Sequence, residues 1–201
     1  MTATLASLGS TSPHSGWRAA VLGLCLWLAA AGGALAQGQT LVVSPEGSPL
    51  SLGEALERAA DGDTIEMLPG EYREAYAVLE NRRLTIRGVG ERPRITGPLQ
   101  PTGKHKALWL VRGGEVTLEN LQFRGMRASD GEGAAVRTEG GRLLVRRCEF
   151  FENEYAIHAT NAQGAELSIQ DSVLGMAPKD VGGLHHLLNV GRIARLTVSG
   201  S

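Results

Sequence analysis

The sequence predicts an all-β solenoid, a chain wound into coils of short strands. Three observations carry that prediction: an apolar motif that recurs along the chain, 27 glycines in 201 residues, and an aromatic share of only 4%. Glycine ordinarily makes up about 7% of a protein, so this chain is built for many turns. With 42% hydrophobic residues and few rings, its core must be mainly aliphatic. Twenty basic and 21 acidic residues give a net charge of -1, which excludes the basic excess of a nucleic-acid binder.

The chain opens outside the fold. Arg18 precedes an apolar stretch from Ala19 to Ala36 that closes on Ala34-Leu35-Ala36. A charge, an apolar run and a small-x-small end form a secretory signal peptide, so residues 1–36 are expected to be removed and the protein to be secreted or periplasmic. The run could span a bilayer by length, but its cleavage signal predicts no stable membrane insertion after processing. Leu24 before Cys25 argues against a lipoprotein. Residues 37–201 then carry a net charge of -2, one cysteine (Cys148) and one tryptophan (Trp109), so no internal disulfide can form.

Residues 37–75 read as a start piece. Thr40–Val43 is a short strand. Ser51-Leu-Gly-Glu54 is a capping box, and the helix it opens through Ala60 carries Leu52, Ala55, Leu56 and Ala59 on one face. Thr64–Leu68 is a second strand, ending at Pro69-Gly70. A solenoid exposes its first apolar coil, and an amphipathic helix laid across that end covers it.

Residues 76–201 carry the coils. Segments beginning at Leu84, Val116, Leu143, Leu167 and Leu196 align on Ile86, Leu118, Val145, Ile169 and Val198, with spacings of 32, 27, 24 and 29 residues. Within a segment, apolar residues fall two, three and two apart, as in Val116, Leu118, Leu121 and Phe123. Period two is a half-buried strand, and the step of three turns a corner without flipping the inward face. Asn120, Arg147 and Asp171 sit at or beside that corner. Further strands precede most segments: Leu108–Val111, Ala134–Thr138, Tyr155–Ala159 and His186–Val190. Stacking would align Val116, Leu143 and Leu167, and likewise Phe123, Phe150 and Leu174, with Cys148 and Trp109 in the interior.

Ser51-Leu-Gly-Glu-Ala-Leu, Asp61-Gly-Asp-Thr-Ile and Pro69-Gly-Glu-Tyr72 resemble the opening of right-handed parallel β-helix proteins of the pectin-lyase-like superfamily. The coils, particularly Leu143–Asn153, resemble its parallel β-helix repeats. His185-His186-Leu-Leu-Asn-Val-Gly191 with Leu196–Ser201 resembles an uncharacterised branch of exported bacterial members. The resemblance implies a right-handed parallel β-helix. For activity it implies lyases, hydrolases, epimerases or non-enzymatic modules, so function has to be argued from the site.

Family lyases abstract a proton α to a carboxylate, neutralise that carboxylate with Ca²⁺ or arginine, and use a Lys, Arg, His or Tyr base. If the strands stack as drawn, Arg137 and His158 project outward from adjacent coils, about 4.8 Å apart. They are the candidate catalytic pair. Asp130 and Glu132 before Arg137, Asn153 and Glu154 before His158, and Asn189 beyond them are candidate substrate contacts. Asp130-Gly-Glu132 is the nearest thing to a calcium site, but it lacks the clustered ligands calcium needs, so no cofactor is expected. His185-His186 has no third ligand spaced for zinc. The leading expectation is an exported protein that binds or acts on a polysaccharide, with lyase-like chemistry on acidic sugars; the alternative is a non-enzymatic structural or surface module. The last segment stops at Ser201, before the position matching Phe123 and Phe150. C-terminal coils of a longer chain, or a capping partner, are therefore expected to complete it.

Overall fold

The computed structural model describes residues 38–47, 49–175 and 185–201. The expected signal peptide and its cleavage point lie outside the described residues. Elements follow in chain order. Strand β1 (Thr40–Val43) leads into helix α1 (Leu52–Arg58). Then come β2 (Thr64–Met67), β3 (Glu71–Arg73) and β4 (Ala77–Glu80). The next coil has β5 (Arg83–Gly88), β6 (Arg94–Thr96) and β7 (Ala107–Arg112). It is followed by β8 (Glu115–Glu119), β9 (Gln122–Arg124) and β10 (Ala134–Thr138). Strands β11 (Arg142–Arg146), β12 (Glu149–Phe151) and β13 (Tyr155–Ala159) form another coil. Last are β14 (Glu166–Gln170), β15 (Val173–Leu174), β16 (His186–Val190) and β17 (Arg195–Ser199).

From β2 onward every third strand joins the same sheet, β1 adds to sheet A beside β2, and all pairings among the described residues are parallel. Sheet A has the order β1-β2-β5-β8-β11-β14-β17, sheet B β3-β6-β9-β12-β15, and sheet C β4-β7-β10-β13-β16. Three parallel sheets wound coil upon coil, with one short helix at the start, make a right-handed parallel β-helix. A parallel sheet keeps identical positions in register from coil to coil, so the core is a set of ladders. Sheet A stacks Ile65, Ile86, Leu118, Val145, Ile169 and Val198. Sheet B stacks Tyr72, Ile95, Phe123, Phe150 and Leu174. Sheet C stacks Ala77, Trp109, Val136, Ile157 and Leu188. The expected ladders are all present. The structure adds β3, β4 and β6, strands of three or four residues.

The corners have a residue-level cause. Between sheets A and B one residue takes the left-handed conformation: Asn120 (φ 53°), Arg147 (φ 51°) and Asp171 (φ 49°). Asparagine and aspartate tolerate that region better than most residues. Between sheets C and A the first corner uses Asn81 (φ 48°), and the next three use glycine: Gly113-Gly114, Gly140-Gly141 and Gly164. A Cβ on Gly114, itself at φ 74–72° with its neighbour Gly113, would sit 2.4 Å from the Arg82 carbonyl oxygen, so only glycine fits beneath the previous coil.

Helix α1 closes the first coil. Ser51 and Glu54 form the reciprocal capping box, and Leu52, Ala55, Leu56 and Ala59 are buried. Arg82 Nη1 donates to the carbonyls of Leu56 (3.1 Å) and Ala59 (2.6 Å), satisfying acceptors that a helix end leaves open. At the other end of the ladders, Leu196 and Val198 are 44% and 49% exposed, whereas Leu167 and Ile169 beneath them are 1% and 0% exposed. Among the described residues no helix is long and apolar enough to cross a membrane.

Candidate functional site

The outer face of sheet C presents one row across five coils. Val78 pairs with Leu110, Leu110 with Arg137, Arg137 with His158, and His158 with Asn189. The row begins apolar and becomes polar at Arg137. Arg137 Nη1 lies 3.4 Å from His158 Nδ1, and Arg137 Nε donates to Glu139 Oε1 at 3.1 Å. Arg112 Nε donates to the other Glu139 oxygen at 3.0 Å. Burial works to raise the Glu139 carboxyl, but the two arginines outweigh it and hold the group below its ordinary value. At His158, burial and then the Arg137 charge push the imidazole down, while Glu132 pulls it up; the net shift is downward. The ring is therefore neutral at pH 7, beside a fixed cation.

Loops and a second row frame this pair. Asp130 and Glu132 are exposed on the loop before β10, and Asp130 forms an ion pair with Lys106 from the coil below. Ala107, Ala134, Tyr155 and His186 align one after another at the start of sheet C. The Tyr155 ring lies 5.3 Å from that of His158, tilted by 51°, and 6.1 Å from that of His186, nearly parallel at 5°. Tyr155 clusters with Ala107 and Ala134 apart from the main core.

The structure brings Arg137, His158 and Asn189 into one row, with Glu132 acting on His158 through its charge. Asn153 and Glu154, expected among the substrate contacts, are turned inward instead: they are 2% and 1% exposed. Their polar atoms are engaged with the backbone of the preceding coil. Asn153 Oδ1 accepts from the Met126 N–H (2.9 Å) and its Nδ2 donates to the Phe123 carbonyl (3.1 Å). Glu154 Oε2 accepts from the N–H groups of Ala128 (3.0 Å) and Gly133 (2.5 Å). Strand alternation could not reveal this, because the partners lie in the preceding coil, 21 to 30 residues earlier.

Sequence reasoning also missed Tyr155, His186 and Glu139. Strict alternation puts Tyr155 and His158, three residues apart, on opposite faces. Here Ala156 and Ile157 both enter the core, as do Ala135 with Val136 and Leu108 with Trp109, so the alternation skips a step in each coil. The repeated small residue before the Ile or Val was the available signal. Glu139 lay two residues from Arg137, on the same face by simple period.

A calcium ion does not fit this donor set. Asp130 is tied to Lys106 and Glu154 to backbone amides, and among the described residues no three His, Cys, Asp or Glu side chains converge. Cys148 is not a nucleophile here. It is fully buried, and burial pushes its thiol up to about 11.

No protein-family model matches the chain. Among solved structures it is similar to the PL6 family alginate lyase AlyGC, with 22% sequence identity and a TM-score of 0.59. The match covers 81% of this chain and 24% of that one, so the chain spans about a quarter of the lyase's length. At that identity the likeness concerns the fold, and it agrees with the coil-by-coil description above.

Proposed function

We propose that the outer face of sheet C binds an acidic polysaccharide and carries out lyase-like elimination on it, in an exported protein freed of residues 1–36. The observation that carries this reading is the Arg137–His158 contact: a guanidinium 3.4 Å from the Nδ1 of an imidazole whose burial keeps it neutral. The chemistry needs a cation to neutralise a uronate carboxylate and a neutral base to take the proton α to it.

The contact also orders the steps. An arginine donates only, so Nδ1 is the acceptor and Nε2 carries the imidazole proton. A carboxylate that recruits Arg137 draws its N–H away from Nδ1 and frees that lone pair for the α-proton. Electrons from the C–H bond then form the ring double bond as the glycosidic C–O bond breaks, and the leaving oxygen takes a proton from the imidazolium just formed, which restores the neutral base. Asn189, next in the row, and Glu132 are the proposed further contacts to the sugar. AlyGC is an alginate lyase, which is compatible with an acidic polymer as the ligand here.

The test is a panel of uronate-containing polysaccharides, followed by the ultraviolet absorbance of unsaturated ends. Cleavage by the wild type and a loss of about 10²-fold or more in His158→Ala are expected, within the range for removing a general base. Arg137→Ala should weaken binding as well as turnover. Binding without cleavage would favour the non-enzymatic module, and neither binding nor cleavage across the panel would overturn the polysaccharide reading.

A further inference from the structure

We propose that Glu154 is a positioning residue: its carboxyl group pinches the two ends of the loop at residues 128–133 together, so that Glu132 on that loop faces His158. One oxygen, Oε2, receives the N–H of Ala128 at 3.0 Å and that of Gly133 at 2.5 Å. The loop between these points turns through a Gly131 N–H to Ala128 carbonyl bond of 3.0 Å. Gly133 is built for the pinch, since a Cβ there would lie 2.7 Å from Ala128 N and 2.8 Å from Glu154 Oε2. Asn153 anchors the approach to the loop through Met126 and Phe123.

Burying a carboxyl group is costly unless its oxygens are hydrogen-bonded. At 1% exposure Glu154 is the most buried acidic side chain among the described residues. What that cost secures is the conformation of the loop that carries Glu132. Glu132 is the acidic group that acts on His158 through its charge. The other groups beside that ring are Arg137 on β10, Tyr155 on β13 with His158 itself, and Asn189 on β16, with His186 stacked on Tyr155. Glu154 therefore acts on the site through Glu132. Its catalytic meaning rests on the proposed function, but the inference itself concerns loop and imidazole and is testable without substrate.

The test is a nuclear magnetic resonance titration of the His158 ring protons in the full chain, assigned with His158→Gln. Glu132→Gln should lower the titration midpoint, because it removes the charge that raises it. Glu154→Ala should lower it by the same amount, and the double variant should show no further change. Glu154→Asp keeps the charge but withdraws the oxygen by one methylene; it should fold and move the midpoint in the same direction. That variant decides the matter if Glu154→Ala does not fold. A wild-type midpoint in folded Glu154→Asp, or a Glu154 effect that adds to that of Glu132→Gln, would overturn the positioning role. Inactivity on every polysaccharide would leave these midpoints unaffected, so the two readings fail separately.

Discussion

Arg147 holds a left-handed backbone, φ 51°, at the corner where the coils before and after it place Asn120 and Asp171. For an ordinary side chain that conformation costs roughly 1–2 kcal/mol, and asparagine lowers the cost through local hydrogen bonds. Asn120 shows how: its Nδ2 donates to the Gly88 carbonyl of the coil below at 3.0 Å. Arg147 is compensated by an ion pair with Glu119, but its side chain is 51% exposed and such pairs contribute little. Arg147→Asn is therefore expected to stabilise the protein by about 1 kcal/mol, read as a higher denaturation midpoint with an unchanged denaturant slope. A lower midpoint would mean that the arginine does more than occupy a corner.

At the scale of elements, the start piece depends on Asp63. Its carboxylate accepts from the N–H of Ala60 at 2.7 Å and from the N–H of Gln39 at 2.8 Å, joining the end of helix α1 to strand β1. The Ala60 bond is the largest cause of a carboxyl held below its ordinary value; burial opposes it and Gln39 adds to it. A depressed carboxyl contributes stability above its unfolded value, about 3.9, and that contribution is lost as pH falls through the folded value. Asp63→Asn should therefore be less stable than wild type near neutral pH, with the gap narrowing on acidification. Chemical denaturation at stepped pH checks this; a gap that stays constant down to strong acid would place the effect elsewhere.

Elements differed in how far the sequence revealed them. Strands of sheet A show five-residue alternation and repeat their inward residues, so Leu118, Val145 and Ile169 aligned correctly from spacing alone. Strand β6 contributes one inward residue, Ile95, from three, and nothing periodic survives at that length. The Arg137–His158 pairing was legible because register follows from alignment. The inward turn of Asn153 and Glu154 was not, since it depends on how the loop at 126–133 folds back.

For the molecule as a whole, ladder packing predicts how mutations combine. Coils pack on their neighbours, the Arg92–Glu149 ion pair across one intervening coil being an exception, so stability is chiefly a sum of coil and nearest-interface contributions. Phe123 and Phe150 are adjacent rungs, with parallel rings (7°) whose centroids lie 5.3 Å apart. Ile65 lies on a different sheet, separated from Phe150 by the coils of Ile86 and Leu118. Phe123→Leu with Phe150→Leu should show an interaction energy of about 0.5–1.5 kcal/mol, the scale of an aromatic pair beyond its buried area. Ile65→Val with Phe150→Leu should be additive within roughly 0.5 kcal/mol, as for distant sites. Both cycles are read by denaturant unfolding of the four variants each requires. Equal coupling in the two cycles would mean that strain passes through the whole stack, and that the coils behave as one body rather than as a chain of neighbours.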